Sequence, residues 1–513
     1  MRSETVSFVR WRYDLLIAGL TVMLSLFYIV IAGGNFPLDD SWIHQTYARN
    51  LAQNGEWAFI AGEPSTASTS PLYTVVLAIG YLLNIPYHVW THGVGIVMLA
   101  LTGILGARMA ARLIPNNRSA YVATGLALVM AWHLIWAAVS GMETAIFAMF
   151  TLALITLAWR ELDARSQHLT AIILRGMLFG LVAALTTLTR AEGVLLCALL
   201  GGLLIFVRPG GRYVGWIAYG VAALFVFMIV LAPYLNFNLQ QTGGLLPDTA
   251  AAKQMYATPN FYQSYFWRVG YLLEPLAAGG QMLLLPGIVV FAVMLVRQRR
   301  SLLLSAPLLW SVLLILLYAG YLPLNFQHGR YVIPSLPSAI VCGVVGMILL
   351  LKGSRFSLLG RVFTRTLAGA TIFVFIFFTF SLGVNAYRLD VAIIDEEMVA
   401  TAFYLRDNIP PDQLLVTNDI GAVGYFAPRP ILDIAGLISP EIIPILNNPD
   451  EIWAWMQAQG GRYLRALNDQ VPGDDVNDPR LCPVFTTGGT AAVRAGGTNM
   501  TIYKLAYDGV CDP

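Results

Sequence analysis

Eleven apolar runs, most of them long enough to cross the ~30 Å hydrocarbon core of a bilayer, leave this chain few ways to fold. They lie near residues 13–33, 90–111, 119–139, 142–159, 169–189, 191–207, 214–235, 280–296, 302–322, 332–351 and 366–385. In lipid a spanning segment must satisfy its own backbone hydrogen bonds, so such runs read as helices. The 513 residues are 57% hydrophobic and 12% charged, which excludes an ordinary soluble globule. Arg2, Arg10 and Arg12 precede the first run, which is too long for a signal-peptide core and is followed by no small-residue cleavage site. It reads as a retained first helix.

The placement of basic residues sets the expected orientation. With the N-terminus inside, alternate junctions carry Arg108, Arg112 and Arg118, then Arg160 and Arg165, then Arg208 and Arg212, then Arg297, Arg299 and Arg300, then Lys352, Arg355, Arg361 and Arg365. With the N-terminal arginines these make 17 of the 31 basic residues, all on one side in short segments, as the positive-inside rule requires. The expected class is an all-α polytopic membrane protein of about eleven helices, N-terminus cytoplasmic, in the cytoplasmic (inner) membrane. The short apolar stretch 71–85, bounded by Pro71 and Pro86, must then lie at the interface or re-enter rather than cross.

After Asn385 the composition turns polar for about 128 residues, enough for one small domain. The expected division is a membrane domain, 1–385, with a first external loop at 35–89, and an extracytoplasmic α/β domain, 386–513. Within the latter "LLVTN" and "PILDIAG" read as strands around a turn "DIGAVGYF", residues 439–461 as helical with a Gly stop, and "TNMTIYKLAY" as a late strand. Cys482 and Cys511 fall in this domain, where an oxidising compartment permits a disulfide; Cys197 and Cys342 sit in apolar runs as inert core residues. There is no fixed-period repeat and no basic, aromatic-interleaved patch, so nucleic-acid binding has no support.

Once sides are assigned, the uncommon polar motifs gather on the outer one. "LDDSWIHQTYARN" follows the first run with Asp39, Asp40 and His44; "SGMETA" holds Glu143; "TLTRAEG" holds Arg190 and Glu192. "QTGGLLPDTAAAKQMY" holds Asp248 and Lys253, and "NFQHGRYVIP" holds His328 and Arg330. Charges at membrane depth are expensive and usually face a cavity or one another, so the five loops are expected to share a polar pocket. Each residue also has a plainer reading. Asp39 and Asp40 suit the N-cap of the following helix, Arg190 and Glu192 an interfacial ion pair, Glu143 and Arg330 a snorkelling charge, and His44 a polar helix face. The "GAVG" turn lacks the spacing of a nucleotide loop.

The chemistry these groups could share is glycosyl transfer from a lipid-linked donor. A carboxylate takes the acceptor proton, and cations hold the charge that develops on a phosphate leaving group. A donor such as a sugar on a polyprenyl phosphate would keep its tail in the bilayer and its phosphate at this depth. Asp39 and Asp40 could also hold a divalent cation, Mg²⁺ or Mn²⁺, although two ligands do not establish a metal site.

An apolar run ending in an acidic pair, followed by "IHQTYARNLAQNGEW" and "GEPSTASTSPLYTVVLAIGYLL", resembles the first external loop of the GT-C glycosyltransferases. That superfamily includes protein O-mannosyltransferases and the lipid A aminoarabinose transferase. "SGMETA", "LTRAEG", "GLLPDTAAAK", "HGRYVIP" and "DIGAVGYFAPRPILDIAGLISPE" are most similar to the branch of decaprenyl-phosphoryl-arabinofuranose-dependent arabinofuranosyltransferases. The resemblance implies an inverting transfer of arabinofuranose or a hexose such as mannose to a cell-envelope glycan, lipid or protein. It also implies a catalytic Asp in the first loop, Asp39 or Asp40, with Asp39 preferred, and phosphate contacts from Lys253 and Arg330. Asp248, where related loops often carry Asn, is consistent with a different sugar. The competing reading is a transporter or flippase of lipid-linked sugars, which would spread polar groups along a path through the bilayer; the centres of the runs are largely apolar. A receptor built on the C-terminal domain would need neither the eleven runs nor the acidic loops.

Overall fold

Each of the eleven apolar runs is helical in the computed structural model of the chain, which describes residues 2–164, 168–207, 213–245, 249–298, 301–353 and 357–511. Asp248 lies outside the described residues, as do Arg165, Arg208, Arg212, Arg299, Arg300 and Arg355. Helix α1 (Arg2–Ile31) ends at Gly33 and Gly34, whose φ of +84° and +88° turn the chain back. The loop that follows holds α2 (Asp40–Asn54), a hairpin of β1 (Ala58–Ile60) and β2 (Glu63–Pro64), and α3 (Pro71–Leu82). At 12 residues α3 is about 18 Å long; it packs Tyr73, Leu77 and Ala78 against Ala48 of α2.

The bundle continues with α4 (Tyr87–Leu113), α5 (Arg118–Val129), α6 (Trp132–Val139), α7 (Thr144–Arg160), α8 (Leu169–Thr189), α9 (Gly193–Val207) and α10 (Tyr213–Thr242). Then come α11 (Thr249–Phe261), α12 (Tyr265–Ala278), α13 (Leu285–Arg297), α14 (Ala306–Tyr321) and α15 (Leu336–Gly353). Last, α16 (Leu358–Phe378), α17 (Val384–Ile393) and α18 (Ala400–Asn408) form one continuous rod through π-helical turns at Thr379–Gly383 and Ile394–Val399. Among the described residues seven helical segments are long and apolar enough to cross a membrane, or nine if the bent pairs α5–α6 and α12–α13 each count as one. Helices α3, α7 and most of α9 are shorter apolar segments.

Many side chains on outward faces are apolar, Val30, Phe206, Leu224 and Phe373 among them, as lipid contact requires. Small residues bring the helices together: a Cβ on Gly346 of α15 would run into the carbonyl of Gly287 on α13, and one on Gly180 of α8 into that of Ala223 on α10. Basic junctions pair at one end of the bundle, as Arg108 with Asp14 (2.8 Å), Arg112 with Asp163 (2.8 Å) and Arg175 with Glu161 (3.0 Å).

The C-terminal part holds a five-stranded mixed sheet in the order β4 (Ile431–Asp433), β3 (Leu415–Thr417), β5 (Tyr463–Ala466), β7 (Thr501–Leu505), β6 (Leu481–Thr486). Strand β3 runs parallel to β4 and β5, with Val416 opposite Leu432 and Leu464, while β7 is antiparallel to β5 and β6. The stretch "DIGAVGYF", expected to be a turn, contains the short helix α19 (Gly421–Phe426). Helix α20 (Pro449–Ala458) stops at Gly460, φ +79°, and α21 (Ala491–Arg494) precedes β7. Cys482 and Cys511 form a disulfide with Cα atoms 5.6 Å apart. This domain shares an apolar core with the first loop: Phe36, Trp42, Tyr47 and Phe59 pack with Met398, Ala402, Ile420, Val423 and Ile502.

Candidate functional site

A cavity of about 560 Å³ lies where the polar loops meet. Seven of the residues singled out in the sequence line it: Asp40, His44, Glu143, Arg190, Glu192, Lys253 and Arg330. They come from the starts of α2, α7 and α9, the end of α8, α11, and the turn between α14 and α15. For α7 and α8 these are the helix ends opposite the basic junctions.

Asp40 opens α2, which is buried over most of its circumference between the bundle and the C-terminal domain. Ser41 Oγ donates to the Ser140 carbonyl (2.7 Å) and Gln45 Nε2 to Thr91 Oγ1 (2.8 Å), and Gly55 closes the helix at φ +72°. The Asp40 side chain is 35% exposed, with Oδ2 2.7 Å from Arg330 Nη1. Burial alone would raise its pKa, but Arg330, and after it Lys253, outweigh that and hold the carboxyl below its usual range. Lys253 has no ion-pair partner among the described residues, so it is a cation free to meet an anion.

Arg330 is delivered by an unusual turn. Gln327, His328 and Gly329 all have positive φ, +40°, +59° and +74°. For the two non-glycines that conformation costs about 1–2 kcal/mol each. Side-chain contacts offset it: His328 Nε2 lies 2.8 Å from Asp390 Oδ2 on α17, which also accepts from Trp136 Nε1 (2.9 Å). His328 therefore points away from the cavity that it was expected to line, and holds the turn carrying Arg330.

Elsewhere in the lining Arg190 Nη1 donates to Glu143 Oε1 (2.7 Å), and Nη2 to Tyr318 Oη (2.9 Å) and Glu192 Oε1 (3.4 Å). The Tyr318 hydroxyl also donates to Glu192. His44 Nε2 stands 3.4 Å from Glu143 Oε2. Two carboxylates thus share one guanidinium, and this group neighbours Arg330, since Arg190 and Arg330 both sit over the Tyr331 ring (5.6 and 5.2 Å). The plain ion-pair reading of Arg190 and Glu192 is present, enlarged by Glu143 and Tyr318. Tyr318, Tyr331, Tyr234 and Leu437 also line the cavity, and none was singled out from the sequence. Tyr318 and Tyr234, hydroxyls inside apolar runs, had a readable signal; Leu437, from the C-terminal domain, had none.

Asp39 does not line the cavity. Nor does it cap α2: its side chain makes no bond to that helix, and its oxygens accept the amides of Gly421 (2.6 Å) and Ala422 (2.8 Å) in the C-terminal domain. Burial, then the Asp419 charge, raise its pKa against the pull of Arg465 and the two amides. Such a pKa would suit a general base, but reach comes before pKa, and Asp40 alone of the pair has it. Of the pair, Asp40 faces the cavity and Asp39 the amides of the C-terminal domain. The pair also fits a metal poorly. Asp39 is spent on backbone amides, Asp40 on Arg330, and among the described residues no three His, Cys, Asp or Glu side chains are grouped to hold an ion.

The family model described as "Domain of unknown function (DUF8728)" matches residues 386–503. No curated protein matches the sequence. Among solved structures, that of ArnT from Cupriavidus metallidurans in the apo state aligns over 99% of this chain and 100% of its own, at TM-score 0.61 and 14% identity. The same protein bound to undecaprenyl phosphate aligns over 97% and 99%, at TM-score 0.61 and 12% identity. The oligosaccharyltransferase of Archaeoglobus fulgidus in the apo form aligns over 97% of this chain and 74% of its own, at TM-score 0.59 and 11% identity. At 11–14% identity these likenesses show a shared fold, in line with the resemblance read from the sequence.

Proposed function

We propose that the chain is a GT-C glycosyltransferase that moves a sugar from a polyprenyl-phosphate donor to a cell-envelope acceptor, with Asp40 as general base. The observation that carries this reading is the cavity in which Asp40 stands beside Arg330 and shares the lining with Lys253. Such a transfer needs a base and phosphate-binding cations at one place, and the sharing of one cavity by Asp40, Lys253 and Arg330 supports it. The shared fold with a protein crystallised with undecaprenyl phosphate supports the lipid-linked donor.

In the proposed step the acceptor hydroxyl gives its proton to an Asp40 carboxylate oxygen as its own oxygen attacks the sugar C1. The C1–O bond to phosphate breaks, its electron pair leaves with the phosphate, and C1 inverts. Lys253 and Arg330 hold the charge on the departing polyprenyl phosphate. The donor phosphate also draws Arg330 away from Asp40, which raises the basicity of the carboxylate when the donor is bound. Arg190, Glu143, Glu192, His44 and Tyr318 offer hydrogen-bonding groups to the sugar or acceptor. No step passes through a metal. In the bilayer the eleven runs are spans, with the basic junctions cytoplasmic and the cavity and C-terminal domain outside.

Incubating the purified protein with a panel of polyprenyl-phosphate sugars, arabinofuranose and mannose included, tests this. Release of polyprenyl phosphate that requires Asp40 is expected, with or without chelator. No release from any donor, together with vectorial movement of a lipid-linked sugar in vesicles, would replace transfer by transport.

A further inference from the structure

The transfer proposed above leaves unused a buried carboxylate one residue before its base. We propose that Asp39 is a positioning residue: it seats the C-terminal domain on the start of α2, and through that seat holds Asp40 and closes one side of the cavity. This rests on Asp40 being the base.

Asp39 is 8% exposed and takes two backbone amides of a segment more than 380 positions away in the chain. The approach demands glycine: a Cβ on Gly421 would run into the Asp39 carbonyl and lie 2.8 Å from its carboxylate. Around this contact the surfaces are continuous. Trp42 packs on Tyr425 and Phe426 with ring centroids 5.0 and 4.5 Å apart, and Arg49 Nη1 donates to the Tyr425 carbonyl (2.8 Å).

The same domain reaches α11 and the cavity lining. Asn418 Nδ2 donates to Tyr256 Oη (3.2 Å) on α11, the helix of Lys253, and Leu437 lines the cavity itself. Residues 418–422 therefore touch both the residue before the base and the helix of Lys253. Arg465, fully buried, donates to the Asp419 carbonyl (2.6 Å) and to Thr417 Oγ1 (3.2 Å), and its charge balances Asp39 and Asp419. Loosening Asp39 would thus let Asp40 shift without unfolding the bundle, and a displacement of about 1 Å at a reacting group lowers a rate about 10²-fold.

The test uses the full-length protein in nanodiscs, with Asp39→Asn and Gly421→Ala as two ways of breaking the seat and Asp40→Asn for comparison. Three quantities are read: amide exchange over residues 418–426, binding of undecaprenyl phosphate, and kcat per undecaprenyl-phosphate site with its pH profile. Asp39→Asn and Gly421→Ala are expected to speed that exchange about tenfold or more. They should lower kcat about 10²-fold, change phosphate affinity less than kcat, and leave the acid limb of the profile in place. Asp40→Asn should lower kcat without changing the exchange. Wild-type exchange in Asp39→Asn, or faster exchange with unchanged kcat per site, overturns the proposal. So does an Asp39→Asn protein as inactive as Asp40→Asn with the seat intact, since Asp39 would then act on substrate. If the wild type transfers no sugar, the transfer reading fails, while the exchange arm still decides whether Asp39 seats the domain.

Discussion

Replacing Asp40 by Asn should move two observables in opposite directions. Loss of a general base lowers kcat about 10²–10⁴-fold, which is about 2.7–5.5 kcal/mol of transition-state stabilisation. Binding of the phosphate should improve. Arg330 Nη1 is 2.7 Å from Asp40 Oδ2, and unit charges centred about 4 Å apart attract by about 4 kcal/mol at an effective dielectric of ~20. Because the carboxylate is 35% exposed, screening leaves about 1 kcal/mol of this. A donor phosphate works against that attraction to engage Arg330, and the amide removes it, so undecaprenyl phosphate should bind about fivefold tighter. Turnover is measured with whichever polyprenyl-phosphate sugar the panel identifies, and affinity by titrating undecaprenyl phosphate into protein in nanodiscs. Wild-type turnover would refute the assignment of the base, and weaker binding would refute the competition for Arg330.

Lys253→Ala should weaken undecaprenyl phosphate about 10–100-fold, the value of a charge-assisted contact of about 1.5–3 kcal/mol. Because Lys253 helps hold the Asp40 pKa down, removing that positive charge disfavours the ionised carboxyl, and the acid limb of the kcat profile should move to higher pH; an unmoved limb contradicts the proximity. Arg465→Met should destabilise the C-terminal domain by about 3–5 kcal/mol, because Asp39 and Asp419 lose the buried charge that balances them. Thermal unfolding read within that domain checks it, and an unchanged midpoint would show that the charges are balanced elsewhere. Reducing Cys482–Cys511, separated by 29 positions, should cost about 3–4 kcal/mol by the chain-entropy relation, read as faster proteolysis of the tail.

Hydropathy is local, and so the apolar runs, their helical state and the polar loops between them were legible without coordinates. Strands β3, β4 and β7 were legible too, from short apolar stretches with turn residues beside them, whereas the Cys482–Cys511 bond was only permitted by the sequence and is seen in the structure. Which way a side chain faces was not. Asp39 and Asp40 are neighbours at a helix start, where successive residues point about 100° apart. Only the docking of α2 between the bundle and the C-terminal domain sends one to the cavity and the other to Gly421 and Ala422. His328 misled because its left-handed turn aims it at Asp390 rather than at the cavity. The stretch "DIGAVGYF" gave no sign of its contact, since it meets Asp39 through two backbone amides and a glycine that tolerates close approach. The sequence by itself determined a largely helical chain with long apolar segments and charged loops between them, because the cost of placing charge in lipid leaves few alternatives. The tertiary structure alone decided which of two adjacent carboxylates meets the cavity, because that depends on a contact between segments more than 380 positions apart, which no local pattern encodes.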